Sequence, residues 1–402
     1  MRILGVVSEY NPFHKGHQYL LRESRRILGR DALVVCAMSG DFVQRGEAAC
    51  FDKFARAEAA VFGGADLVAE LPLPWCLSSA EGFARGAVAI LSALGCTDLA
   101  FGSECGDLEA LARTAAALDD PETKVEIDRL LSADASLSYA RARQEALSRR
   151  NGEDARLLGE PNNILALEYL RAIRSQGCAM KPLTLKRIGA AHDETASDGA
   201  FPSAMRLRAM LREGREVDAY VPDACMAVYR REAEKGRAAN PPVMERLLLS
   251  RLYALDAACF DLLPDAGDGA GRRLKNALAE GKGLEETAIL AASKRHTRAR
   301  MRRMLLCAAL GVQSGEADGF PPYVRLLAMN ERGRAFLHEH AKQADLPILT
   351  RPASVREFGS RAERVFSAGA SAHDLYCLQM MTSSDICMSE DWKTGPALVK
   401  NL

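Results

Sequence analysis

The chain has 402 residues, 48% of them hydrophobic and 26% charged, enough apolar content for the cores of two or three soluble domains. Lys plus Arg and Asp plus Glu both total 53, so no overall field draws the chain to nucleic acid or to an anionic membrane, and any such binding must come from local patches. No apolar run is long enough to span a membrane, and the N-terminus holds strand-like residues where a signal peptide would lie. The eleven cysteines, among them Cys36, Cys76, Cys96 and Cys307, sit in apolar stretches without a Cys-x-x-Cys pair. A cytoplasmic protein with reduced thiols, without disulfides or a zinc site, is expected.

Residues 3–7 read as a first strand. They lead into Ser8-Glu9-Tyr10-Asn11-Pro12-Phe13-His14-Lys15-Gly16-His17, and an amphipathic helix follows, with Tyr19, Leu20, Ile27 and Leu28 on its apolar face. Free N–H groups and the positive end of a helix dipole make such a start a cradle for a triphosphate. His14 and His17 add donors there, and Gly16 removes a Cβ from the backbone's approach to the phosphates. Two histidines three apart also occur at ordinary helix starts; the position behind the first strand favours nucleotide binding.

Strand-like and helix-like segments then alternate. Residues 32–38 precede a helix near 51–62, residues 67–71 a helix near 80–94, and residues 98–101 helical stretches from 107 to 148. This alternation predicts an α/β, Rossmann-like, doubly wound parallel sheet, with ligands at the carboxyl ends of its strands. The loops at 39–47 and 101–104 would open on the same crevice as the histidines, although each also reads as a surface turn. Pro161-Asn162-Asn163 opens another helix, where capping alone explains the asparagine. Residues 182–187 read as a fifth strand ending in Lys186-Arg187. Ser203, Arg206 and Arg208 fall in the first turns of a helix, where arginines oppose the dipole unless an anion is present.

Beyond residue 215 the strand signal fades. Helical spacing over 243–255, 284–310 and 322–341 predicts a mostly helical C-terminal domain, giving a division into 1–215 and 216–402. Lys294, Arg295, Arg298 and Arg302 form a basic stretch on a predicted helix, with Arg295, Arg298 and Arg302 on one face. It reads either as a solvated surface or as a grip on RNA phosphates. His338, His340 and His373 have no ligand partner at metal spacing and are expected to be surface or packing residues.

The stretches EYNPFHKGHQYL, SGDFVQRGEAACFDKFARAEAAVFGGADLVAELP, SSAEGFARGAVAIL, FGSE, PNNILALEY and KRIG resemble the bacterial tRNA(Met) cytidine acetate ligases, members of the His-Ile-Gly-His nucleotidyltransferase superfamily. The resemblance is dense over about the first 210 residues and continues through KRHTRARMRR and YVRLLAMNERGRAFL. It implies that ATP activates acetate as acetyl-adenylate, without coenzyme A. The acetyl group then passes to the exocyclic amine of the wobble cytidine of elongator tRNA(Met).

Carried over by motif, the ATP site comprises Val7, Ser8, Glu9, Tyr10, Asn11, Pro12, Phe13, His14, Lys15, Gly16, His17, Gln18, Tyr19 and Leu20, together with Gly102, Asn162, Arg187 and Ser203. His14, His17 and Arg208 are the implied catalytic residues. Met205 stands where a threonine is expected, Ala166 where a glycine is common, and Asp41 where an asparagine is usual.

The chemistry suits these residue types. Acetate attacking the α-phosphorus needs no protein nucleophile, only positioning and positive charge. Mg²⁺ held mainly by the phosphates would account for the lack of a carboxylate cage, so no protein metal site is expected. The cytidine must be unstacked for the second step. Two other readings stay open at this level: a different adenylyl-transfer enzyme of the superfamily, making a dinucleotide cofactor or acylating a protein thiol, and a non-catalytic protein that binds nucleotide or tRNA.

Overall fold

The computed structural model describes residues 1–134, 136–187, 201–380 and 388–400. Its strands are β1 (Ile3–Ser8), β2 (Leu33–Ser39), β3 (Phe42–Val43), β4 (Glu47–Ala48), β5 (Leu67–Leu71), β6 (Asp98–Ser103), β7 (Lys181–Lys186), β8 (Val324–Met329), β9 (Ile348–Leu349) and β10 (Ala397–Leu398). All but β3 and β4, which pair as a short hairpin, join one sheet in the order β10-β8-β5-β2-β1-β6-β7, with β9 also on β8.

The five strands β5-β2-β1-β6-β7 run parallel. Taken in chain order they stand 3-2-1-4-5, the doubly wound arrangement, and the order reverses between β1 and β6. Both faces are covered, as a parallel sheet requires. β2 is buried at every position, and its alternate residues feed opposite layers: Leu33, Val35 and Ala37 join one hydrophobic cluster, Val34, Cys36 and Met38 the other.

The expected alternation holds through β7. Helices Lys15–Leu28, Lys53–Phe62 and Ala80–Ala93 follow β1, the hairpin and β5, and four more between Leu108 and Ser175 precede β7. After residue 215 helices dominate, with two corrections to the sequence reading. The stretch 322–341 is not one helix: it opens with β8, antiparallel to β5, and only Glu331–His340 is helical. All six residues of β8 are buried, and a short continuous apolar run looks alike in a buried strand and a buried helix. The stretch 284–310 is likewise two helices, Leu284–Ala291 and Arg298–Leu310, because Thr297 accepts from Arg300 N (3.3 Å) and starts the second one.

β8, β9 and β10 thus stitch the C-terminal half onto the sheet, and one hydrophobic cluster runs from Ile3 and Leu33 to Phe366 and Tyr376.

Candidate functional site

β1 ends at Ser8, and the chain turns through Tyr10, whose φ of +46° lies in the left-handed region, to the helix that begins at Lys15. His14 is the N-cap: its Nδ1 accepts from Gly16 N (3.0 Å), while Nδ1 of His17 accepts from His14 N (3.3 Å). Backbone N–H groups therefore occupy Nδ1 of both rings. Each neutral imidazole is fixed as the tautomer with its proton on Nε2, ready to donate. The rings lie against each other at a tilt of 31°, with centroids 3.8 Å apart.

Burial, then the nearby Arg187 and Arg208, push His14 down to about 3; burial, then His14 and Arg187, hold His17 well below the ordinary histidine range. Both are neutral donors at physiological pH. The His14 ring gives Gly16 a further reason. A Cβ there would stand 2.9 Å from Cε1 of His14, so glycine lets the ring fold back over its own helix.

Arg208, from the helix Ala204–Arg212, donates from Nη1 to Asn11 O (2.9 Å) and pairs through Nη2 with Glu47 (2.5 Å), while its buried Nε has no partner. Ser203 caps that helix by accepting from Arg206 N (3.2 Å), which leaves its hydroxyl proton available. Arg187 follows β7, and its Cγ lies 3.2 Å from where a Cβ on Gly102 would be; the arginine stem takes the space beside that glycine. Ile188 and Gly189 of the same motif lie outside the described residues.

Glu9 accepts from Gln44 N (2.9 Å), and burial raises its pKa against the opposing pull of Arg45 and Arg208. Arg187 and Arg208 thus lie near two neutral imidazoles, with Arg45 beside Glu9, at a helix start with no acidic residue in its first turn. The arrangement suits a polyanion.

At the β6 loop the helix Pro161–Ser175 is capped from across the crevice rather than by its own asparagine. The Glu104 carboxylate accepts from Asn162 N (3.1 Å), Asn162 Nδ2 (2.5 Å) and Asn163 N (2.7 Å), and Asn163 Oδ1 accepts in return from Glu104 N (3.0 Å). The nominal N-cap, Glu160, makes no side-chain cap bond. This exchange fixes Asn162 and the loop after Gly102 as one unit.

Several residues of the opening turn hold it rather than face the crevice. Tyr10 O–H meets Cys36 Sγ (3.3 Å), Phe13 is fully buried, Asn11 Oδ1 accepts from Cys50 N (2.8 Å), and Lys15 Nζ donates to Ala219 O (2.8 Å). Tyr10 and Phe13 wall the His17 ring, with centroids at 4.9 and 5.6 Å. A residue missed in the sequence does the same from beneath. Arg56, fully buried, donates to Phe51 O (2.9 Å), Glu9 O (2.5 Å), Ser39 O (3.2 Å) and Gly40 O, and so binds the ends of β1 and β2 together. Its one signal is an arginine within an alanine-rich helical run.

Lys294 and Arg295 lie in the loop before the helix Arg298–Leu310, not on it, so the expected single face does not form. Arg298 and Arg302 both pair with Glu285, and Arg295 approaches Asp268 (3.9 Å). The helix nevertheless adjoins the site. Gly46, at φ +78°, brings the Arg45 loop so close that a Cβ would meet the Arg302 backbone at 2.9 Å.

His338 is exposed and His340 stacks on Phe336 (4.6 Å), as expected. His373 departs from expectation: it is fully buried, bonds Asp41 through Nδ1 (2.8 Å), and lies within ligand distance of Cys377 and Glu390. Asp41 also accepts from Lys53 N (2.8 Å). Burial works against the Asp41 charge, but His373 and Lys53 outweigh it and hold the carboxyl at about 2. Among the described residues the cysteines are free thiols, and no helix is long and apolar enough to cross a membrane.

The model of the HIGH Nucleotidyl Transferase family matches residues 1–390. The chain is 37% identical to the tRNA(Met) cytidine acetate ligase of Syntrophotalea carbinolica, over 90% of this chain and 89% of the relative. It is also 37% identical to the enzyme of that name from Caldanaerobacter subterraneus subsp. tengcongensis, over 94% and 95%. The crystal structure of Thermotoga maritima TmcAL bound with alpha-thio ATP superposes with a TM-score of 0.92 at 31% identity, covering all of both chains. The apo form gives 0.94 at 32%, again over all of both chains.

Proposed function

The chain belongs to the HIGH nucleotidyl transferase family and, within it, to the tRNA(Met) cytidine acetate ligases, and from that premise we propose how its residues carry the reaction. ATP and acetate give acetyl-adenylate and pyrophosphate. The acetyl group then passes to the exocyclic amine of the wobble cytidine of elongator tRNA(Met), giving N4-acetylcytidine and AMP.

In the first step an acetate oxygen bonds to the α-phosphorus as the bond to the β-phosphate oxygen breaks. Negative charge builds on the phosphates. His14 and His17 donate to them through Nε2–H, Arg208 leaves Glu47 for them, and Arg187 and Ser203 close the ring of donors. Neutral imidazoles are apt here, because they donate from Nε2–H without adding further positive charge beside Arg187 and Arg208. The backbone from Val7 to Leu20, with Gln18 and Tyr19 in the first turns, Gly102 and Asn162 shape the rest of the nucleotide site.

Mg²⁺, held mainly by the phosphates, would shield their charge. The donor set fits that reading: Glu104 is taken up by a helix end and Glu9 accepts from Gln44 N, so among the described residues of the site only Glu47 is released when Arg208 turns to the phosphates, too few carboxylates for a cage. In the second step the amine attacks the carbonyl of the mixed anhydride and AMP departs. Lys294, Arg295, Arg298 and Arg302 contribute tRNA contacts, so that residues 1–215 carry adenylation and 216–402 add the grip on tRNA. The setting is cytoplasmic.

The observation that supports this reading most is the pair of tautomer-fixed imidazoles at a helix start near Arg187 and Arg208. The test is acetylation with radiolabelled acetate, ATP and tRNA(Met). Label should enter cytidine with release of AMP and pyrophosphate, His17→Ala should abolish adenylate formation while tRNA binding persists, and Arg298→Glu should weaken tRNA binding and its salt dependence. Label transfer that requires acetyl-coenzyme A refutes the assignment.

A further inference from the structure

We propose that His373, Cys377 and Glu390 form a binding site for a zinc-class divalent cation, with Asp41 orienting the histidine from behind. His373 and Cys377 lie one turn apart on the helix Ser360–Cys377, and Glu390 opens the short helix Glu390–Lys393. The distances are Nε2 of His373 to Glu390 Oε2, 3.3 Å; Nε2 to Cys377 Sγ, 3.5 Å; and Sγ to Oε2, 3.9 Å. A tetrahedral zinc ion, with bonds of about 2.0 Å to nitrogen and oxygen and about 2.3 Å to sulfur, holds such atoms about 3.3 to 3.6 Å apart. The three donors already stand almost at that spacing.

The surroundings match a metal histidine as well. Nδ1 of His373 faces the buried Asp41 carboxylate at 2.8 Å, the carboxylate–histidine pair that fixes a ligating ring and raises its basicity. The Phe54 ring meets the imidazole edge-on at 5.4 Å and keeps one side dry. Arg237 donates to both oxygens of Glu390, Oε2 (2.9 Å) and Oε1 (3.1 Å), which fixes the carboxylate, and is itself shared with Asp52 (3.1 Å). The Glu390 side chain remains 20% exposed, which gives an ion a path in and leaves the fourth position to water. Such an ion would pin the two C-terminal helices to each other and, through Asp41, to the loop that follows β2.

Charge is conserved on binding. The cation replaces two protons, the one on the Cys377 thiol and the one that Nε2 of His373 shares with Glu390, because both ligands coordinate through a lone pair.

The test uses the full chain, loaded with Co²⁺ and then titrated with Zn²⁺. The expected result is one ion per chain, a tetrahedral cobalt spectrum with a thiolate charge-transfer band, and displacement by zinc. Cys377→Ala should lose that band, while Asp41→Asn should weaken the affinity about 10- to 100-fold. An octahedral cobalt spectrum without the thiolate band in the unaltered chain overturns the proposal, and so does equal affinity in Cys377→Ala. The first reading needs no variant, so a folding defect in any mutant leaves the proposal testable.

Discussion

Lowering the pH should destabilise the ligand-free chain through His14, and by a predictable amount. The ring is 8% exposed, and burial together with Arg187 and Arg208 pushes its pKa down to about 3, against 6.5 in the unfolded chain. Between those values the unfolded state binds the proton and the folded state does not. Stability is therefore fully present above pH 6.5 and is lost as the pH falls toward 3. From pH 7 to pH 5 a single such group removes about 2 kcal/mol.

His14→Asn isolates this effect, because asparagine can accept from Gly16 N as an N-cap in place of Nδ1 but cannot take up a proton. Urea unfolding at pH 5, 6, 7 and 8 should show the unaltered chain losing about 2 kcal/mol more than the variant between pH 7 and 5. Saturating ATP should shrink that difference, since phosphates beside the ring favour its protonated form. Parallel pH dependences of the two proteins would refute the account of a neutral, desolvated imidazole.

Two further perturbations address charges that the fold buries. Lys53 and Arg325 share Glu70 and Asp391 in a fully buried square, with Lys53 at 3.0 and 2.6 Å and Arg325 at 3.2 and 2.8 Å. Asp391→Ala leaves two cations with one carboxylate and should cost about 3–5 kcal/mol, read as a large fall in Tm; a loss under about 1 kcal/mol would mean the square is hydrated and weak. Glu47→Gln removes the anion that holds Arg208 at 2.5 Å, so ATP should bind several-fold more tightly by isothermal titration. Weaker binding would instead place Glu47 among the groups that hold the nucleotide.

The five parallel strands and the His-x-Gly-His start were legible in the sequence because both are local signals. Apolar runs between helical stretches mark strands wherever they lie, and a helix start carries its capping residues with it. Arg187 and Arg208 were legible for a related reason, as cations at the end of a strand and in the first turns of a helix. What the local pattern misjudged was β8, whose apolar run fits either element until β5 offers it a ladder of hydrogen bonds.

The sequence by itself determined the doubly wound half, the His-x-Gly-His turn between first strand and first helix and, by its motifs, the family. Tertiary structure alone decided that Glu104 caps the helix of Asn162, that Glu47 occupies Arg208, that Arg56 ties two strand ends, and that Asp41 meets His373 from 332 positions away. The reason is physical. A backbone's periodicity is set by its neighbours in the chain, whereas a buried charge must find its partner among whatever residues packing brings to it.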